Sequence, residues 1–145
     1  MRVCYYFIMQ FETIDISGDV GIKAFGVSMG EAFANAAAGM YSLITDLNGV
    51  DERKSETFEA AGDSPEGLLV AWLNELVFHF DTYGFIGKRV EVTEISSRGI
   101  RAVVHGDEFD PERHERRLLI KAATYHNIRV ERVNSGWEIE IIFDI

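Results

Sequence analysis

Acidic residues at the two ends of the chain are the side chains best suited to chemistry. Asp15 and Asp19 flank Ile16-Ser17-Gly18, and Asp144 precedes the terminal Ile145, whose α-carboxylate adds a further acid. Closely placed carboxylates at a strand end can hold a hard cation through oxygen ligands. Without one they repel each other. If the terminus is pinned in a sheet beside the Asp19 loop, three oxygen donors converge. The simpler alternatives are an Asx-type chain reversal at Asp15–Asp19 and a frayed, solvated end at Asp144.

Two basic or titratable positions stand apart from these acids. Lys121 interrupts the apolar run LLIKAATY. A lysine buried there without a partner is costly, so it either snorkels to solvent or meets a carboxylate or phosphate. His114 follows Asp110-Pro111 among Glu112, Arg113 and Glu115. It is expected to be solvated in a surface loop, with a contact role open to it.

Several chemistries are excluded by what the chain lacks. It has no Gly-Lys-Ser/Thr phosphate loop, no Gly-x-Gly-x-x-Gly, no His-Glu-x-x-His and no Gly-x-Ser-x-Gly elbow. Its one cysteine, Cys4, permits neither an internal disulfide nor a cysteine-based zinc cluster, as suits a reducing compartment. Fourteen Lys and Arg against 24 Asp and Glu leave a net charge of −10, a poor balance for direct nucleic-acid binding. No apolar run approaches the roughly 20 residues a membrane helix needs. A cytoplasmic, soluble, non-enzymatic domain is the expectation.

The elements that must position these residues follow from pattern. Residues 3–12 read as a strand or strand pair, Thr13–Asp19 as a polar loop, and Val20–Phe25 as a further strand. Ser28-Met29-Gly30-Glu31 reads as a capping box for a helix over 29–44, rich in alanine. Asp46–Lys54 is turn chemistry and Glu56–Ala60 a short strand. Ser64-Pro65 then starts a second helix with a broad apolar stripe, ending near Gly84. Period-two segments follow at Arg89–Ile95, Ile100–His105, Leu118–Tyr125, Ile128–Val133 and Trp137–Phe143. In the Leu118–Tyr125 strand, Lys121, Ala123 and Tyr125 share one face. Helices confined to the middle of the chain imply an α+β fold. Residues 1–145 form a single compact domain, with two helices packed on a mostly antiparallel or mixed sheet of about eight strands.

The order of motifs resembles the archease family. The segments that carry the resemblance are Phe11-Glu12, Asp15, Asp19-Val20-Gly21-Ile22, Ala24 and Gly26, then Glu31-Ala32-Phe33, Asn35-Ala36-Ala37 and Met40. They continue through Thr45-Asp46, Val50, Leu68-Leu69, Trp72-Leu73-Asn74-Glu75-Leu76, Gly106, Phe109-Asp110-Pro111, His114, Lys121-Ala122, Thr124-Tyr125-His126 and Asp144-Ile145. Residues 1–9 fall outside the match, as an added N-terminal strand.

The resemblance implies a compact α+β helper of the RNA-splicing ligase, which joins RNA ends through a guanylylated histidine in tRNA splicing and RNA repair. Such a helper promotes guanylylation and multiple turnover without owning the chemistry. It also implies a divalent cation, calcium, at Asp19, Asp144 and the terminal carboxylate of Ile145. Lys121 matches a functionally important lysine, and His114 and Tyr125 stand with it as partner-facing residues. The family loop reads Asp-His-Thr-Ala-Asp where this chain has Asp15-Ile16-Ser17-Gly18-Asp19, and isoleucine can neither ligate nor hydrogen-bond. The alternatives are a chaperone-like binder and a small metal-dependent hydrolase.

Overall fold

A computed structural model describes residues 10–145. Cys4 and most of the strand expected over 3–12 lie outside the described residues. Among the described residues eight strands divide between two sheets, and every pairing is antiparallel. The first sheet holds β1 (Phe11–Ile16), β2 (Asp19–Gly26), β8 (Gly136–Asp144) and the short β6 (Ala122–Ala123) in that order, with β7 (Arg129–Val133) also paired to β8. The second holds β3 (Lys54–Ala61), β5 (Gly99–Glu108) and β4 (Phe85–Ile95).

Helix α1 (Met29–Ile44) packs on β2 and β8 with one side and on β4 with another, so it lies between the sheets. That position explains its alanines. Ala32, Ala36 and Ala37 are fully buried, and only small side chains let two sheets approach one helix closely. At Gly39 even a Cβ would stand 2.8 Å from the Ile22 side chain. Half of the expected capping box forms as read: the Glu31 N–H donates to Ser28 Oγ at 3.1 Å, while the Glu31 carboxylate reaches one residue past the cap and accepts from the Val27 N–H at 2.8 Å.

Helix α2 (Pro65–Tyr83) covers β3 and the β6 region. Ser64 caps it through the Gly67 N–H at 3.0 Å, and Gly84 ends it in the left-handed region at φ 73°. Its Trp72 is buried, and the indole N–H donates to the Phe33 carbonyl at 3.1 Å, tying α2 to α1.

Two expected segments differ. Thr13–Ile16 belongs to β1 rather than to a loop, because only Ser17 and Gly18 make the reversal. Both adopt positive φ, 53° and 86°, the two-residue hairpin geometry that matches strand twist. The strand expected over Leu118–Tyr125 shrinks to Ala122–Ala123. Its first half docks instead on the end of α1, where the Arg117 and Leu118 N–H groups donate to the Ile44 and Leu43 carbonyls. Lys121 and Tyr125 are exposed while Ala123 is buried, so the three do not share a face.

Candidate functional site

The β1–β2 hairpin sets the position of Asp19. Ile16 and Asp19 are cross-strand partners and share one face, whereas Asp15 pairs with Val20 on the other. The two loop aspartates therefore do not converge. A different acid comes close. Val20 pairs with Phe143, so Asp19 and Asp144 occupy the next positions on adjacent strands. On the far side of β8, Ala122 pairs with Asp144, and the Lys121 N–H donates to the Asp144 carbonyl at 2.8 Å. The end of the sheet thus reads Ile16, Asp19, Asp144, Ala122 from strand to strand, with Lys121 and Ile145 one residue further on.

Helix α2 holds the last member of this row. The Asn74 side-chain carbonyl accepts from the Ala123 N–H at 2.8 Å, and Thr124 donates through both N–H and hydroxyl to the Ile142 carbonyl at 3.0 and 2.8 Å. The chain then turns through Tyr125–Ile128. Tyr125 is exposed and lies near the start of α2: a Cβ at Gly67 would stand 3.6 Å from its hydroxyl.

That turn delivers a residue sequence reasoning did not select. His126 Nε2 lies 3.5 Å from Asp19 Oδ2, with the Asn127 amide 3.3 Å from the same nitrogen. Ile16 supplies no imidazole to this spot, but His126 reaches it from the opposite side. Its place in Thr124-Tyr125-His126 was the available signal, and nothing local ties that segment to Asp19.

His114 departs from expectation. It is 3% exposed, and its Nδ1 accepts from the Asp110 N–H at 2.8 Å while the ring packs on Phe109. The imidazole closes the Asp110–His114 turn from inside instead of meeting solvent. Nearby, Asp107 is buried against Arg113 at 3.2 Å and Arg53 at 3.7 Å. Burial pushes its carboxyl up, but the Glu108 N–H and the two guanidinium groups outweigh this and hold it below the usual aspartate range.

On the second sheet, Ser55 Oγ lies 2.7 Å from His105 Nδ1, and His105 Nε2 meets Glu91. Glu91 pairs in turn with Arg89, which reaches Glu52. This line of hydrogen bonds joins β3, β5 and β4 across their solvent face.

Among the described residues, no group of three or more His, Cys, Asp or Glu side chains is placed to hold a metal ion. Asp19 and Asp144 stand at neighbouring positions on adjacent strands, two carboxylates where a hard cation takes six to eight oxygen ligands. Among the described residues, no helix is long and apolar enough to cross a membrane.

Residues 11–145 match the model of the archease protein family. A protein archease of Saccharolobus solfataricus is 35% identical over 137 residues, 94% of this chain and 99% of the relative. One from Aeropyrum pernix is 34% identical over 133 residues, 89% of this chain and 92% of the relative. The solution structure of Methanobacterium thermoautotrophicum protein 1598 superposes with a TM-score of 0.79 at 30% identity, covering 94% of this chain and 99% of that one. A Thermotoga maritima crystal structure, described as an archease and possible chaperone, shares the fold with a TM-score of 0.65 at 16% identity, covering 92% and 96%. A family match that runs from the first strand to the last residue, together with the same arrangement of helices and sheets, places this chain in the archease family.

Proposed function

We propose that this chain is an accessory protein of an RNA-splicing ligase, working beside it in the cytoplasm during tRNA splicing and RNA repair. It promotes guanylylation of the ligase and repeated turnover, and it carries out no reaction of its own. The observation that supports this reading is the adjacency of Asp19 and Asp144, brought from opposite ends of the chain to one sheet end with Lys121 alongside. Oxygen ligands at a protein's edge can order a phosphate-bound metal or the guanylate on a partner, and a lysine beside them can steady a phosphate.

Asp19, Asp144 and the Ile145 carboxylate would hold a divalent cation, calcium by their all-oxygen chemistry. When bound, it supplies charge that cancels the repulsion among these acids. The chain's own residues do the placing. The β2–β8 ladder fixes the spacing of the two aspartates, and Asn74 holds the segment that carries Lys121.

The test is multiple-turnover RNA ligation, with guanylylation of the ligase followed in parallel. Wild-type protein should stimulate both, and Asp144→Ala and Lys121→Ala should each lose most of that stimulation while unfolding at the wild-type temperature. If both variants stimulate as well as wild type does, the reading is wrong.

A further inference from the structure

The end of helix α2 carries aromatic rings that the core does not absorb. The apolar stripe of the helix, through Leu69, Trp72, Leu73 and Leu76, is buried. Phe78 and Tyr83 fall outside it, 53% and 64% exposed. They meet edge to face with ring centroids 6.3 Å apart. The partly buried His79 stands between them, 5.7 Å from Phe78 and 5.3 Å from Tyr83. It also meets the buried Phe58 of β3 edge to face at 4.7 Å. The imidazole thus ties both outer rings to the core, which lowers the ordering cost of anything that binds them.

Acids surround these rings. Glu75 and Asp81 lie three residues to either side of Phe78, next to it on the helix surface. Glu75 Oε2 is 3.5 Å from His79 Nε2. Strand β3 runs antiparallel to α2: a Cβ at Gly62 would stand 2.5 Å from the Leu68 nitrogen, whereas Phe58 packs on His79. Glu56, on the same face of β3 as Phe58, therefore lies toward the Tyr83 end. Lys54, two residues before it, is engaged by Glu108 at 3.8 Å. The last turn of α2 holds no basic residue, and the negative end of the helix dipole points here.

We propose that Phe78, His79 and Tyr83 form a docking point for an arginine side chain of a partner protein. The guanidinium lies on the exposed ring faces and pairs with Glu75 or Asp81. The inference goes beyond the accessory-protein reading and uses none of the residues that support it.

Chemistry selects this occupant. A guanidinium engages both halves of the patch, since it stacks on aromatic faces and donates in its own plane to carboxylates. A lysine ammonium, more strongly hydrated, gains the charge and less of the stacking. A nucleic-acid strand would also stack on the rings, but its phosphates would meet acids where a binding groove needs bases. Two copies of this chain meeting patch to patch would press the same acids together.

The test titrates two capped peptides, acetyl-Gly-Arg-Gly-amide and acetyl-Gly-Lys-Gly-amide, into the whole protein at about 0.15 M salt, followed by NMR. The arginine peptide should shift the resonances of residues 75–84 saturably, with a dissociation constant at least about threefold below that of the lysine peptide. That comparison needs no variant. Phe78→Gln combined with Tyr83→Gln keeps helix propensity and every acid. It should raise the arginine peptide's constant at least about fivefold and bring the two peptides level, with the unfolding temperature unchanged. Equal binding of the two peptides by wild-type protein, or shifts spread over the acidic surface as a whole, would mean that charge alone attracts them, and the inference is wrong. No saturable binding of the arginine peptide, or an unchanged constant in the double variant, overturns it too. So does a dimer by light scattering that the double variant dissociates, since the occupant is then a second copy.

Discussion

The Tyr41 hydroxyl is fully buried and finds no hydrogen-bond partner among the described residues. Burial pushes its pKa well above the ordinary tyrosine range. Its ring still packs tightly, with a Cβ at Gly87 placed 2.5 Å from it. Tyr41→Phe keeps that packing and removes an unpaired polar atom. Denaturant titration should therefore show stability unchanged or raised by up to about 1 kcal/mol.

Asp107 is the opposite case, a buried acid with its partners in place. Its carboxyl is held below the usual aspartate range in the folded protein, so the stabilisation it contributes is present above the unfolded value of about 3.9. It is lost as pH falls through the lower folded value. Between pH 7 and pH 3 the denaturation midpoint should fall, and Arg113→Ala should flatten that dependence. At neutral pH the same variant should lower the denaturation midpoint only modestly, because Arg113 is partly solvated and Arg53 and the Glu108 N–H remain. Neither partner of Asp107 could be read from sequence. Arg113 looked like one charge in a mixed run, and Arg53 lies far away in the chain.

Strands and helices carry these residues into place, and Gly21 is where the site depends on an element most directly. A Cβ there would fall 2.2 Å from the Ile141 carbonyl oxygen, inside the β2–β8 ladder. Gly21→Ala must push the two strands apart, at about 1–3 kcal/mol. It should also weaken ligase stimulation although no acid is altered, a loss readable at a temperature where the variant remains folded. Asn74 anchors β6 to α2 in a similar way. Asn74→Ala leaves the Ala123 N–H unpaired, with an expected loss of about 1–3 kcal/mol and faster amide exchange at Ala123. The helix caps and the strands that become β7 and β8 were legible beforehand, since a cap or an alternating run involves neighbours in sequence. The Leu118–Tyr125 segment was not. Its alternating pattern is overruled by carbonyls at the end of α1 and by Asn74, groups that no local window contains.

At the scale of the whole molecule, the acidic balance of the chain governs its encounters. Association with a basic partner should slow as ionic strength rises from about 0.05 to 0.5 M, since screening shortens the reach of the field. Dissociation should change less, because short-range contacts are screened less than the long-range field. Stopped-flow binding at several salt concentrations separates the two rates.

Composition and pattern were enough for the charge, two capped helices, most of the strands and the α+β class. Each depends on side-chain type and on contacts within a few residues. The sequence order of motifs was also enough to suggest the family. Folding alone decided that Asp19 and Asp144 become neighbours, that His126 reaches Asp19, that Asp15 turns away and that His114 goes inside. Those outcomes depend on strand register and on packing between segments distant in the chain. A carboxylate's neighbours are chosen by the ladder that holds its strand, and that ladder exists only in the folded molecule.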